Sequence, residues 1–143
     1  MQGVIMTKKL KSLEAPELFF GFVSAVGANI DETIRSFKSN LIDLGYRVEL
    51  IEISKQFEKL KKRRVIRERL SNNDEFDRIR SRMNFGNKLR DKFQDQAVLS
   101  GVAISEITKK RPSTNNRSKD TPFTRTAYLI RQFKRKEEVE LLR

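Results

Sequence analysis

Between residues 17 and 53 an apolar run, a small-residue turn, an amphipathic stretch and an alternating run follow one another, and this succession constrains the fold more than any other feature. Glu17-Leu-Phe-Phe-Gly-Phe-Val23 is short and rich in aromatics, as expected of a strand that a parallel sheet buries on both faces. Ser24-Ala-Val-Gly-Ala-Asn29 supplies small residues for a turn, after which Ile30, Ile34, Phe37, Leu41 and Leu44 recur at helical spacing until Gly45 ends the run. Tyr46-Arg-Val-Glu-Leu-Ile-Glu-Ile53 begins directly after that glycine and reads as a strand parallel to the first. Such a βαβ unit predicts an α/β, three-layer domain with a mainly parallel sheet holding 18–23, 47–53 and 125–131, the first of these in the centre.

The rest of the chain divides by composition. Residues 1–16 form a basic lead predicted to be loosely ordered, and residues 17–143 form one domain. Ser54 to Leu70 is predicted helical and strongly basic, Ser71-Asn-Asn-Asp74 breaks it with turn chemistry, and a helix follows from Glu75 to about Arg90. Asp95 is placed to cap a further helix whose apolar face carries Val98, Gly101, Val102 and Ile107. Residues 111–122 have the composition of an exposed, mobile loop, Phe123 to Arg131 reads as a third strand, and Lys134 to Arg143 as a charged helix. Three strands are few for a doubly wound sheet, so the domain is expected to be incomplete at its C-terminus.

The 143 residues include neither cysteine nor histidine, which removes disulfides, the commonest zinc ligands, thiol nucleophiles and the usual general base. The chain alone is therefore expected to hold no metal, no cofactor and no catalytic residue. Lys and Arg number 31 against 19 Asp and Glu, a net charge of +12. An anionic ligand such as a nucleotide or RNA accounts for that balance; so does an acidic complement lying elsewhere in a larger protein. No stretch of 18 apolar residues and no signal-peptide pattern occur, so the expectation is a cytoplasmic chain with no membrane contact. Homo-oligomerisation stays open.

A strand, a small-residue turn and a helix start form a geometry that cradles phosphates, because free backbone N–H groups and the positive helix end face the anion. Gly21, Ser24, Gly27, Ala28 and Asn29 are the candidate phosphate-binding residues of this turn. Laid against G-x-x-x-x-G-K-[ST], the pattern puts Ile30 at the lysine and Asp31 at the magnesium-binding hydroxyl, so phosphoryl transfer is not expected. The turn then either binds a nucleotide without catalysis or is purely structural. Arg80, Arg82, Arg90 and Arg111 are candidates to meet phosphates from above, Arg80 and Arg90 foremost. Lys59, Lys61, Lys62, Arg63, Arg64 and Arg67 are candidates for nucleic-acid backbone contact, although no exposed aromatics are interleaved for base stacking.

Four segments, Glu17-Leu-Phe-Phe-Gly-Phe-Val-Ser-Ala-Val-Gly27, Tyr46 to Ser54, Met83-Asn-Phe-Gly-Asn-Lys-Leu-Arg90 and Ala127 to Arg143, together resemble the amino-terminal region of bacterial anti-phage dCTP/dCMP deaminases. The resemblance covers roughly residues 17 to 143. It implies a degenerate P-loop-kinase-like domain that precedes a zinc-dependent deoxycytidylate deaminase domain, whose activity destroys deoxycytidine nucleotides an invading phage needs. The deaminase signature needs a His or Cys followed by Glu, and a downstream Pro-Cys-x-x-Cys, to hold zinc and move protons. Those ligands are missing from this sequence. By resemblance, then, this chain is a regulatory or sensory, nucleotide- or RNA-responsive module, with zinc and catalysis in the deaminase domain as its partner; the alternative is a stand-alone basic nucleic-acid-binding protein.

Overall fold

The computed structural model describes residues 15–25, 27–111 and 125–142. Most of the basic lead, most of the 111–122 loop and the expected strand start at Phe123 lie outside the described residues. Elements follow in the order β1 (Leu18–Val23), α1 (Asp31–Asp43), β2 (Arg47–Glu52), α2 (Ile53–Lys62), α3 (Glu75–Phe93), α4 (Val98–Lys110), β3 (Thr126–Phe133) and the short α5 (Lys136–Glu140). The fold is α/β with an open, all-parallel, three-stranded sheet.

The strand order is β1-β3-β2, so β3 is central, not β1. Leu18 pairs with Ala127 on one side of β3 and Val48 pairs with Ala127 on the other. Burial explains the correction. Thr126 through Ile130 are all buried, as a strand covered on both faces requires, whereas β1 alternates, leaving Phe19 at 40% and Val23 at 56% exposure. Phe19 stacks on Tyr128 with ring centroids 5.4 Å apart.

Helices lie on both faces. Ala127 and Leu129 of β3 point to α1, where they meet Ile34, Leu41, Phe37 and the edge residues Leu18, Phe20 and Phe22. Tyr128, Ile130 and Phe133 point the other way, into the larger core with Ile53 and Phe57 of α2, Phe85 and Leu89 of α3, and Leu99, Ala103 and Ile107 of α4.

Helix α2 is shorter than the sequence predicts: it ends at Lys62, and Arg64 turns the chain with φ 55°. The reason is hydrophobic. Ile66 and Leu70 are both buried in the larger core, and the chain leaves the helix axis to bring them there. Helix α3 starts at a conventional cap, the Asp74 carboxylate accepting the Asp77 N–H at 2.8 Å. Asp95 stands two residues before the cap, accepting from Ala97 N–H at 2.8 Å, while Ala97 is the capping residue of α4.

Candidate anion-binding cavity

A cavity of about 430 Å³ opens at the carboxyl ends of the parallel strands, where open α/β sheets receive ligands, and its volume is in the range of small-molecule sites. Gly27 enters it from the β1–α1 turn, Ser54 and Phe57 from the start of α2, and Gln132, Lys134 and Arg135 from the end of β3. Helix α3 forms the facing wall. Residues four apart share one side of a helix, and Arg78, Arg82, Gly86 and Arg90 all line the space, with Ile79, Met83 and Asn87 beside them.

The end of β3 is shaped by an irregularity. Register slips between Phe22 and Val23, and Gln132 takes φ 83°, a left-handed conformation that a non-glycine residue adopts at a cost. This bulge turns Phe133 into the core and leaves Gln132 beside the cavity, its Oε1 accepting the Ser54 N–H at 2.8 Å. Gly21 belongs to this packing: a Cβ there would come within 3.1 Å of the Phe133 ring.

Four cations surround the mouth. Arg82 is held by the Ser71 carbonyl at 3.1 Å and Asn72 Oδ1 at 2.9 Å, and Arg78 pairs with Glu75. Lys134 Nζ donates to the Ser24 carbonyl at 2.7 Å, and burial pulls its pKa below the ordinary lysine value, with Glu138 acting against that shift. Glu138 is fully buried. Its Oε1 accepts from Arg90 Nε at 3.2 Å and from Arg90 Nη2, and its Oε2 accepts the backbone N–H of Lys134 at 2.8 Å and of Arg135 at 3.1 Å. Asn87 Oδ1 takes a further Arg90 bond at 3.1 Å, and Ser100 Oγ donates to the Glu138 carbonyl. One carboxylate therefore fixes both the α3 wall and the segment that presents Lys134 and Arg135.

Of the turn residues read from the sequence, the structure brings Gly27 to the cavity, with φ 80° and open space where a Cβ would stand. Ser24 contributes its carbonyl to Lys134. Ala28 N–H is taken by Ala25 O at 3.2 Å, and Asn29 Oδ1 accepts the Asp31 N–H at 3.1 Å, so part of the expected backbone cradle is spent inside the turn. Asp31 itself pairs with Arg131 at 2.8 Å. Arg90 lines the cavity but is buried against Glu138, and Arg80 is exposed and does not line it. Arg111 is at the opposite end of the sheet, paired with Glu17. Arg78, Lys134 and Arg135 were not singled out by sequence; the four-residue spacing of Arg78, Arg82, Gly86 and Arg90 was the available signal for the first.

The basic run splits in two. Lys59 reaches Glu106 at 3.4 Å, Lys61, Lys62 and Arg63 end α2, and Arg64 and Arg67 lie on the irregular strap beyond, all of them exposed. Arg64 and Arg67 share a shallow depression with Lys88 and Lys92 of α3. Among the described residues no group of three or more acidic, histidine or cysteine side chains could hold a metal ion, and no helix is long and apolar enough to cross a membrane. The chain matches no family model, and comparison with curated proteins and with solved structures likewise yields no match.

Proposed function

We propose that this chain is a non-catalytic nucleotide-sensing module and that its parent is an anti-phage deoxycytidine-nucleotide deaminase. One observation carries the first half: Gly27, Arg78, Arg82, Lys134 and Arg135 converge at the carboxyl end of a parallel sheet. Cations at the mouth suit phosphates, and the apolar floor of Ile53, Phe57, Met83 and Leu99 suits the rest of a nucleotide. The second half rests on the four-segment resemblance. Ile30 stands where a P-loop lysine would neutralise a transferring phosphoryl group, so sensing, not transfer, is the role these residues support.

Calorimetry with dCTP, dCMP and ATP tests the reading. Binding of at least one nucleotide is expected, weakened tenfold or more by Arg78→Ala combined with Arg135→Ala, at unchanged melting temperature. No binding of any nucleotide would sink it, and turnover of any of them by the pure chain would remove the word non-catalytic. A parent coding sequence without a zinc-deaminase signature would overturn the second half alone.

The alternative of a nucleic-acid-binding protein is favoured by the exposed cations Lys61, Lys62 and Arg63 at the end of α2 and by Arg64 and Arg67 beside Lys88 and Lys92. Salt separates the two, since each phosphate neutralised on a single strand adds about 0.7 to the slope of log affinity against log salt.

A further inference from the structure

A second concavity, of about 320 Å³, runs between α2 and α4 and ends at the last turn of α3. Its floor is apolar: Leu60, Val65, Val98 and Val102 are only half-buried, and Phe93 at its end is 51% exposed. Its rim is cationic. Lys59 and Lys109 both reach Glu106, and Arg63 adds a third positive charge, so the edge remains net positive after that pairing.

Two details point outward. Gly101 sits inside α4, where glycine costs about 0.5–1 kcal/mol relative to alanine, yet a Cβ there would meet nothing within 4 Å. The packing of the described residues gives no reason for the glycine, whereas close approach of a second backbone does. Gln56, also in the groove, has a buried Oε1 with no hydrogen-bond partner among the described residues, an arrangement that is costly until a donor arrives.

Charge selects the occupant. The chain's own segments outside the described residues are basic: Lys8, Lys9 and Lys11 against Glu14 in one, Arg117 and Lys119 against Asp120 in the other. A second copy brings a further +12. Both would meet the cationic rim with like charge. We propose that the groove docks an acidic amphipathic helix of a partner protein, its apolar side on Leu60, Val98 and Val102, its carboxylates on Lys59, Arg63 and Lys109, and its backbone crossing α4 at Gly101.

The test uses the full chain and a fluorescent synthetic helix with leucines on one face and glutamates on the other, followed by anisotropy. Binding is expected, with loss of at least tenfold in Gly101→Leu, which fills the groove and improves helix propensity and so leaves the fold intact. Reversing Arg35 and Lys38, exposed on α1 across the sheet, should change affinity less than twofold. The proposal is overturned if the glutamate peptide does not bind, if a lysine counterpart binds as well, if Gly101→Leu binds equally, or if the Arg35 and Lys38 reversal weakens binding as much. It is equally overturned if sedimentation shows a dimer that Gly101→Leu dissociates, or if a peptide of residues 1–14 binds more tightly than the acidic one.

Discussion

Gly86 is buried in the middle of α3, where alanine would be the better helix former by roughly 0.5–1 kcal/mol. A Cβ there would make ordinary contacts, 3.5 Å to Arg90 Nη1, 3.7 Å to Phe57 and 3.8 Å to Leu99. Nothing among the described residues therefore forbids alanine, while the cavity wall would lose depth. Gly86→Ala should raise the melting temperature by about 2–4 °C and weaken nucleotide binding; calorimetry on the free and liganded forms reads both. A second residue ties the cavity to pH. Burial lowers the pKa of Lys134 from 10.5, so between its folded and unfolded values the unfolded chain binds more protons and stability rises with pH. A bound phosphate loses this cation in the same interval. Nucleotide affinity should thus decline on the alkaline side before ordinary lysines titrate, and Lys134→Arg, whose charge persists, should hold affinity to higher pH.

At the scale of elements, α5 is too short to be stable alone and is anchored through Glu138. Removing one member of a buried ion pair costs about 3–5 kcal/mol because its partner stays buried and charged. Glu138→Gln should cost about that much in urea denaturation, and adding Arg90→Met should recover part of the loss; additive effects would show that the pair is not coupled. The βαβ start of the fold was legible in the sequence because the apolar run of β1, the 3.6-residue period of α1 and the alternation of β2 are clean, and the three elements fall within a residue or two of the boundaries read from it. Helix α2 was not, since the continuous run of helix-forming Lys and Arg concealed the demand of Ile66 and Leu70 for the core. Strand order was equally hidden, because it is decided by pairing across the sheet. In the site, Gly27 could be read from its turn, but Lys134 and Arg135 come from a segment distant in sequence. Arg90, which looked like a rim arginine, is claimed by Glu138, 48 residues away.

For the whole molecule, a net charge of +12 sets how binding responds to salt. A mononucleotide in the cavity meets few cations, so its affinity should fall only shallowly as salt rises. A single-stranded RNA lying along Lys61 to Arg67 would meet many, giving a slope several times steeper; titrating both ligands at two salt concentrations distinguishes which surface is used. The central position of β3 carries a consequence for how the protein is made. Leu18 pairs with Ala127 and Arg47 with Thr126, while β1 and β2 share no ladder. Every rung of the sheet therefore waits for residues 126–133. Until residues 126–133 leave the ribosome, β1 and β2 have no strand to join, and the helices that precede β3 have only one another to collapse upon. The sheet thus closes only once this strand has emerged, and slowly for its size, as long-range pairing dictates, and a nascent chain halted before residue 126 exposes two aromatic or aliphatic edges to whatever chaperone is at hand.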